Sequence, residues 1–313
     1  MINEAVNPET QEKVEKKPGH IPFTFSHYSV VSENHSRNED RVLVDRARGL
    51  AAVFDGVGGS VAGDIASRMA AYSIRHGWKQ VFQQAQQGND TAAILEPCDC
   101  LDLRSTLLRL VEDAHERIRT KGWKQARKGV MQELIEGPAT TVAVVAFCRQ
   151  PGEDGYLMTY AHVGDSRIYL LRGEDSLRPL TRDDGFLSIL LDEQIINDKD
   201  ALRIEQATES DQLTETEQEY FDRRNGITQA LGDPQAPTIH CEQIAIQPTD
   251  RILLCSDGIH DNLTNSELEM LLRKGARTTV ARAIVRQAVN RSQQDALRSK
   301  ADDMSAVVIT CHN

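Results

Sequence analysis

A chain of 313 residues is long enough for one large domain or two ordinary ones, either with a sizeable core. With 27% charged and 40% apolar residues, it is neither an extended disordered chain nor a membrane protein. The 36 Lys and Arg against 47 Asp and Glu give a net charge of -11, which repels a polyanion and excludes broad nucleic-acid binding.

The first 20 residues, MINEAVNPETQEKVEKKPGH, hold four Glu, three Lys and no apolar run, so they read as neither signal peptide nor transit sequence. Residues 1–22 are expected to form a flexible tail. No stretch of about 18 apolar residues follows, so no membrane span and a cytoplasmic location are expected. Short apolar runs rich in Val, Ile and Tyr predict strands over 50–54, 141–147, 156–163, 167–171, 251–255 and 305–310. Ile65, Met69 and Tyr72 form one helical stripe, and Leu103, Leu107, Leu110, Ala114 and Ile118 a second, both read as core packing. Cys98 and Cys100 are the one close cysteine pair, with no His or second pair at zinc-ligand spacing, so they read as loop residues.

Between Asp192 and Asn225 eleven acidic residues face four basic ones, a local charge of -7. With few large apolar residues, this segment reads as an inserted subdomain or flap. A helix pair over about 266–298, with Gly275 as the stop of its first member, precedes the last strand. Three strands in succession over 141–171 favour a mainly antiparallel α+β architecture over a doubly wound one.

The chemistry is carried by where the acids fall. Asp55 closes LAAVF, Asp165 follows YLMTYAHVG, Asp257 follows RILLCS, and Asp302 with Asp303 precedes MSAVVIT. Strands deliver these acids to the rim of a core, where several negative charges together are costly without a counterion. A divalent cation with hard oxygen ligands answers that need. The glycine-rich run DGVGGSVAGDIAS has neither dinucleotide nor Walker spacing, so it is a weak nucleotide signal.

SRNED at 36–40, VFDGVGG at 53–59, GPATT at 137–141, HVGDSRIYL at 162–170, LTRDD at 180–184, ITQALGD at 227–233, LLCSDGIHD at 253–261 and ADDMSAVVI at 301–309 occur in that order. Together they resemble the metal-dependent protein phosphatases, the type 2C serine/threonine family, in its bacterial form. The resemblance implies a four-layer α-β-β-α sandwich of two mainly antiparallel sheets flanked by helices, formed by a catalytic domain over 23–313 with an acidic flap at about 183–226. It also implies two Mn2+ or Mg2+ ions. Asp55 would bridge them, Asp257 and Asp302 would complete one site, and Glu39 and the carbonyl of Gly56 would hold the other. Asp40 would orient water. Asp165, Asp257 and Asp261 match a third, weaker ion. The implied reaction is hydrolysis of phosphoserine and phosphothreonine in proteins by a metal-activated water, with Asp55, Asp257 and Asp40 as catalytic groups. The implied partner is a phosphoprotein, in opposition to a serine/threonine kinase, and a monomer is expected.

Three positions depart from the pattern. His35 stands where the family places a phosphate-gripping arginine, and Arg37 is its possible substitute. Val57 stands where some relatives carry a histidine, and Asp184 where a histidine is common. A pseudophosphatase of the same fold and a small-molecule phosphomonoesterase are the competing readings.

Overall fold

The computed structural model describes residues 23–57, 62–86, 102–122, 124, 137–149 and 155–312. The expected N-terminal tail, the Cys98–Cys100 pair and part of the glycine-rich run lie outside them. Among the described residues ten strands form two five-stranded sheets. One runs β1 (Phe23–Val30), β10 (Met304–Cys311), β9 (Arg251–Cys255), β6 (Arg167–Leu171), β7 (Arg178–Pro179). The other runs β2 (Arg41–Asp45), β3 (Leu50–Phe54), β4 (Val142–Arg149), β5 (Tyr156–Val163), β8 (His240–Ile246). Every pairing is antiparallel.

Inward-facing side chains of both sheets, among them Val53, Val145, Ile252, Leu254 and Val307, form a common core. On the outer face of the second sheet lie α1 (Gly63–Gln86) and α2 (Leu103–Arg117), sealed by Leu43, Phe54, Trp78 and Leu107. On the outer face of the first lie α7 (Asn265–Lys274) and α8 (Val280–Ser292), sealed by Leu253, Leu272, Ile284 and Val308. Strands buried on both faces read as continuous apolar runs, which is why six of the ten were visible in the sequence. The layers are thus the expected α-β-β-α sandwich.

Some local expectations need correction. Strands β1, β2, β7 and β8 were not anticipated: β1, β2 and β8 mix buried with exposed or half-exposed positions, both residues of β7 are exposed, and polar residues interrupt β1 and β8. Tyr72 is 54% exposed rather than part of the core stripe; it stacks on His76 and lies under Arg117. Gly275 ends α7, but in an extended conformation rather than a left-handed one. Its glycine is required by close approach, since a Cβ there would lie 2.5 Å from Val280 Cγ2. No described helix is long and apolar enough to cross a membrane.

The acidic insertion between β7 and β8 is ordered by α3 (Phe186–Asp192), α4 (Asp198–Gln206) and α5 (Glu215–Asp222). Ile204, Ala207, Leu213 and Phe221 give it a small core of its own. Part of its acidity is structural: Asp200 and Glu217 complete reciprocal capping boxes with Asn197 and Thr214. Arg167 of β6 ties the insertion to the sandwich through a two-pronged bond to Asp183, Nε to Oδ1 at 2.9 Å and Nη2 to Oδ2 at 2.6 Å, and a further bond to Glu205. Removing the cation while leaving its buried partners costs about 3–5 kcal/mol in such networks. Arg167→Met should therefore lower stability by about that amount in urea denaturation and increase hydrogen exchange in α4 before the sheets. Unchanged exchange in α4 would show that the ion pairs do not hold the insertion.

Candidate metal centre

Antiparallel register brings the strand-end acids together. Arg41 pairs with Phe54, Val142 with Val163, and Cys255 with both Arg167 and Ala306. The residues just beyond those pairs, Glu39, Asp40, Asp55, Asp165, Asp257, Asp302 and Asp303, therefore emerge at one end of the sandwich. There His35, Glu39, Asp55, Gly56, Asp165, Asp257, Asp302 and Asp303 line a cleft of about 370 Å3 together with Val57, Thr141, Asn225, Ile227, Lys300 and Ala301. Asp40 lies behind it, 2% exposed. Asp261 lines an adjoining cleft beneath the insertion, which shares Asp165 and Asn225 with the first. Arg37 does not line the cleft; its Nη1 donates to Asp64 Oδ2 at 3.1 Å.

Asp55, Asp303 and Asp40 are held from behind. Thr140 Oγ1 donates to the carbonyl of Asp55 at 2.7 Å, and the amide of Asp55 donates to Thr141 Oγ1 at 3.1 Å. Asp303 accepts from the amides of Ser32 at 2.7 Å and Glu39 at 2.6 Å, so the start of β10 fixes the loop that carries Glu39. Ser256 Oγ donates to Asp40 Oδ2 at 2.8 Å and accepts from the amide of Ser305 at 3.0 Å. Gly56 packs so closely that a Cβ would lie 2.6 Å from the Gly63 carbonyl, and one on Gly63 would lie 2.8 Å from Glu39 Oε2. Only glycines admit the Glu39 carboxylate at this turn.

The charges are poorly compensated. Burial, followed by the charges of Asp40, Asp257, Asp302 and Asp165, pushes Asp55 well above the carboxylate range. Burial likewise pushes Glu39 to about 7 and Asp40 to about 8, and raises Asp165 and Asp302. Asp40 Oδ1 and Asp257 Oδ1 are buried with no hydrogen-bond partner. Among the described residues no three His, Cys, Asp or Glu side chains are drawn close enough to hold an ion as they stand, as mutual repulsion requires of uncompensated carboxylates. The donors are nonetheless hard oxygens with unpaired lone pairs, the set that Mn2+ and Mg2+ prefer.

Several supporting residues carried no readable signal. Lys300, two positions before Asp302, reaches the acids with its ammonium: Nζ donates to Asp257 Oδ2 and, at 2.9 Å, to Asp261 Oδ2, and lies 3.1 Å from Asp302 Oδ2. Burial opposes its charge, but the three carboxylates outweigh it and raise its pKa. Asp184 accepts from the amide of Gly164 at 2.8 Å and lies 2.9 Å from His240 Nε2, locking the turn before Asp165 to the insertion and β8. His162 stacks on His240 and is held at about 4 chiefly by burial. His260 is buried, with Nε2 3.1 Å from the carbonyl of Asp165. Both histidines are buried, at 4% exposure each.

The family model described as Protein phosphatase 2C matches residues 31–301. The chain belongs to the protein phosphatase 2C family. It is 28% identical to protein phosphatase PhpP of Streptococcus pneumoniae over 241 residues, 76% of this chain and 79% of that one. Among solved structures, the Mycobacterium tuberculosis serine/threonine phosphatase PstP/Ppp superposes with a TM-score of 0.66 at 25% identity, covering 93% of this chain and 99% of the other. A PstP catalytic domain in complex with two manganese ions gives a TM-score of 0.65 at 24% identity, covering 93% and 99%. The enzyme class expected from the motifs, protein serine/threonine phosphatase, agrees with these names.

The raised carboxylates set a pH dependence for this member of the family. A carboxyl whose pKa is higher folded than unfolded contributes full stability below its unfolded value and loses it as pH rises through the folded one. In chelator, stability should therefore fall as pH rises from about 4 to 8. Asp40→Asn keeps an acceptor for Ser256 but cannot ionise, and should recover ~2 kcal/mol at pH 8. Urea midpoints at pH 5 and pH 8 would measure this, and equal losses in both proteins would refute it.

Proposed function

We propose that this phosphatase hydrolyses phosphoserine and phosphothreonine in proteins at a binuclear Mn2+ or Mg2+ centre. The observation that carries the reading is the cleft itself: six carboxylates, Glu39, Asp55, Asp165, Asp257, Asp302 and Asp303, line it together with one lysine at the end of the sandwich. A pseudophosphatase would have no need to retain that costly set, and every acid expected to bind metal is present. Asp55 with Asp257 and Asp302 would hold one ion, and Asp55 with Glu39 and the Gly56 carbonyl the other. When bound, such ions lower the pKa of water and offset charge on the phosphoryl oxygens.

The chain's own groups bind and orient. Asp40, fixed by Ser256 behind the cleft, would orient water with its unpaired Oδ1. Thr140 and Thr141 hold the Asp55 backbone so that its carboxylate faces the cleft. His35 is the phosphate-side group, since it lines the cleft whereas Arg37 is paired with Asp64. Burial opposes protonation of His35, but Asp303, 3.2 Å from Nδ1, together with Asp302 and Glu39, raises its pKa. A protonated imidazole would attract a phosphate dianion more weakly than an arginine fork. Val57 lines the cleft without a transferable proton, so water would protonate the leaving alkoxide. The insertion flanks the cleft and would present the phosphoprotein.

The test is release of phosphate from a phosphothreonine peptide by metal-stripped protein titrated with Mn2+ and Mg2+, then with excess chelator. Saturable activation and its loss on chelation are expected; metal-independent turnover would overturn the reading. Asp257→Ala should reduce kcat more than ~100-fold, and wild-type turnover would sink the site assignment. His35→Arg should lower KM for the peptide about 3- to 10-fold and remove the rise in KM that deprotonation of His35 produces at higher pH. A KM and a pH profile identical to wild type would show that His35 does not meet phosphate.

A further inference from the structure

Lys300 is placed by a built device. Its amide donates to Asn262 Oδ1 at 3.1 Å, while Asn262 Nδ2 donates to the Lys300 carbonyl at 2.9 Å and to the Gly258 carbonyl at 2.8 Å. Asn262 is fully buried, so this clip fixes the Lys300 backbone against α6 (Asp257–His260), the helix that begins with Asp257. The side chain, 24% exposed, then crosses to Asp257, Asp261 and Asp302. It makes no ion pair within 4.0 Å of Glu39, Asp55 or Asp165; its charge lies between Asp261 and the two carboxylates, Asp257 and Asp302, that would complete the first ion site, so an ion held there would leave the ammonium on Asp261.

Asp261 already faces two cationic side chains. Its Oδ2 takes Lys300 at 2.9 Å, and its Oδ1 faces His260 Nδ1 at 3.6 Å and Arg224 Nε at 3.9 Å. A divalent ion between Asp257 and Asp261 would have to displace the ammonium and sit near the Arg224 guanidinium, a like charge at short range.

We propose that the Lys300 ammonium is a tethered cation filling the place of a third metal ion, so that this phosphatase binds two divalent ions and is insensitive to a third. The inference rests on the two-ion reading above. An exchangeable ion held by few carboxylates has millimolar-range affinity and dissociates as its concentration falls. A covalently attached ammonium is present at every metal concentration, at the cost of immobilising one lysine. It offsets one charge rather than two, which suits a place already approached by Arg224.

Mn2+ binding to the full-length, metal-stripped protein, measured by equilibrium dialysis with elemental analysis and by electron paramagnetic resonance, decides it. Wild type should saturate at two equivalents and take no third at millimolar Mn2+. Lys300→Met should gain a third, weaker equivalent, lost again in Lys300→Met/Asp261→Asn, while Lys300→Arg should stay at two. A third, Asp261-dependent equivalent in wild type would overturn the proposal, and this outcome needs no variant to fold. A folded Lys300→Met protein that stops at two would overturn it as well. Fewer than two equivalents in folded wild type would overturn the two-ion reading, and the tethered-cation proposal with it.

Discussion

Mutual repulsion among carboxylates at one end of the sandwich is the constraint around which the rest of the structure is arranged. Antiparallel pairing makes their convergence unavoidable: once Arg41 sits opposite Phe54 and Cys255 opposite both Arg167 and Ala306, the residues just outside those pairs share one rim. The protein meets part of the cost by anchoring two of the acids, Asp303 and Asp40, through donors that are themselves fixed. Asp303 takes two backbone amides, and Asp40 takes a serine whose own oxygen is bonded to β10. Such bonds hold positions without cancelling charge, which leaves oxygens such as Asp257 Oδ1 unpaired. An apolar core of this size supports that expense, because the acids occupy only its edge.

The insertion illustrates how misleading a charge count is on its own. Its local excess of acid suggests a repelling or basic-partner surface, yet Asp200 and Glu217 are spent on helix caps and Glu205 on Arg167. Arg298, 1% exposed, bonds to the carbonyls of Glu205, Ala207 and His260, joining the insertion to the helix that carries Asp257. Asp184 makes a second junction at Gly164, where a φ of +92° and contact with Thr141 favour glycine. The insertion is thus bonded to the turns that present Asp165 and Asp257, and its placement is coupled to the site through rigid contacts rather than through its net charge.

How much of this is legible in the sequence follows from what sequence patterns encode. Doubly buried strands announce themselves as apolar runs, and an acid at the end of such a run is anomalous enough to notice, so Asp55, Asp165, Asp257 and Asp302 stand out from the amino-acid order alone. The half-exposed strands β1 and β8 do not, because polar residues break their runs. Tyr72 is misleading because three positions at helical spacing do not say how wide a helix's buried face is. Lys300 and Asn262 are invisible for a different reason: a surface-like lysine and an asparagine 38 residues earlier acquire meaning only when the fold brings them together. The role of Asp184, likewise, depends on a partner 20 residues away across a turn.

His35 and Asp303 are best understood as one unit rather than as two departures. Asp303 brings a further carboxylate into a crowded rim, and both its oxygens already serve the loop from Ser32 to Glu39. The imidazole 3.2 Å away lies at the mouth of the same loop, where a cation relieves that carboxylate and faces the space a phosphate would enter. An arginine there would carry its charge at every pH, whereas the imidazole takes a proton because the neighbouring anions favour it. Divalent ions in the cleft would weaken that pull by neutralising Glu39 and Asp302, and an incoming phosphate dianion would strengthen it again. Protonation of His35 is thereby coupled to occupancy of the cleft on both sides, a coupling that a permanently charged residue could not provide.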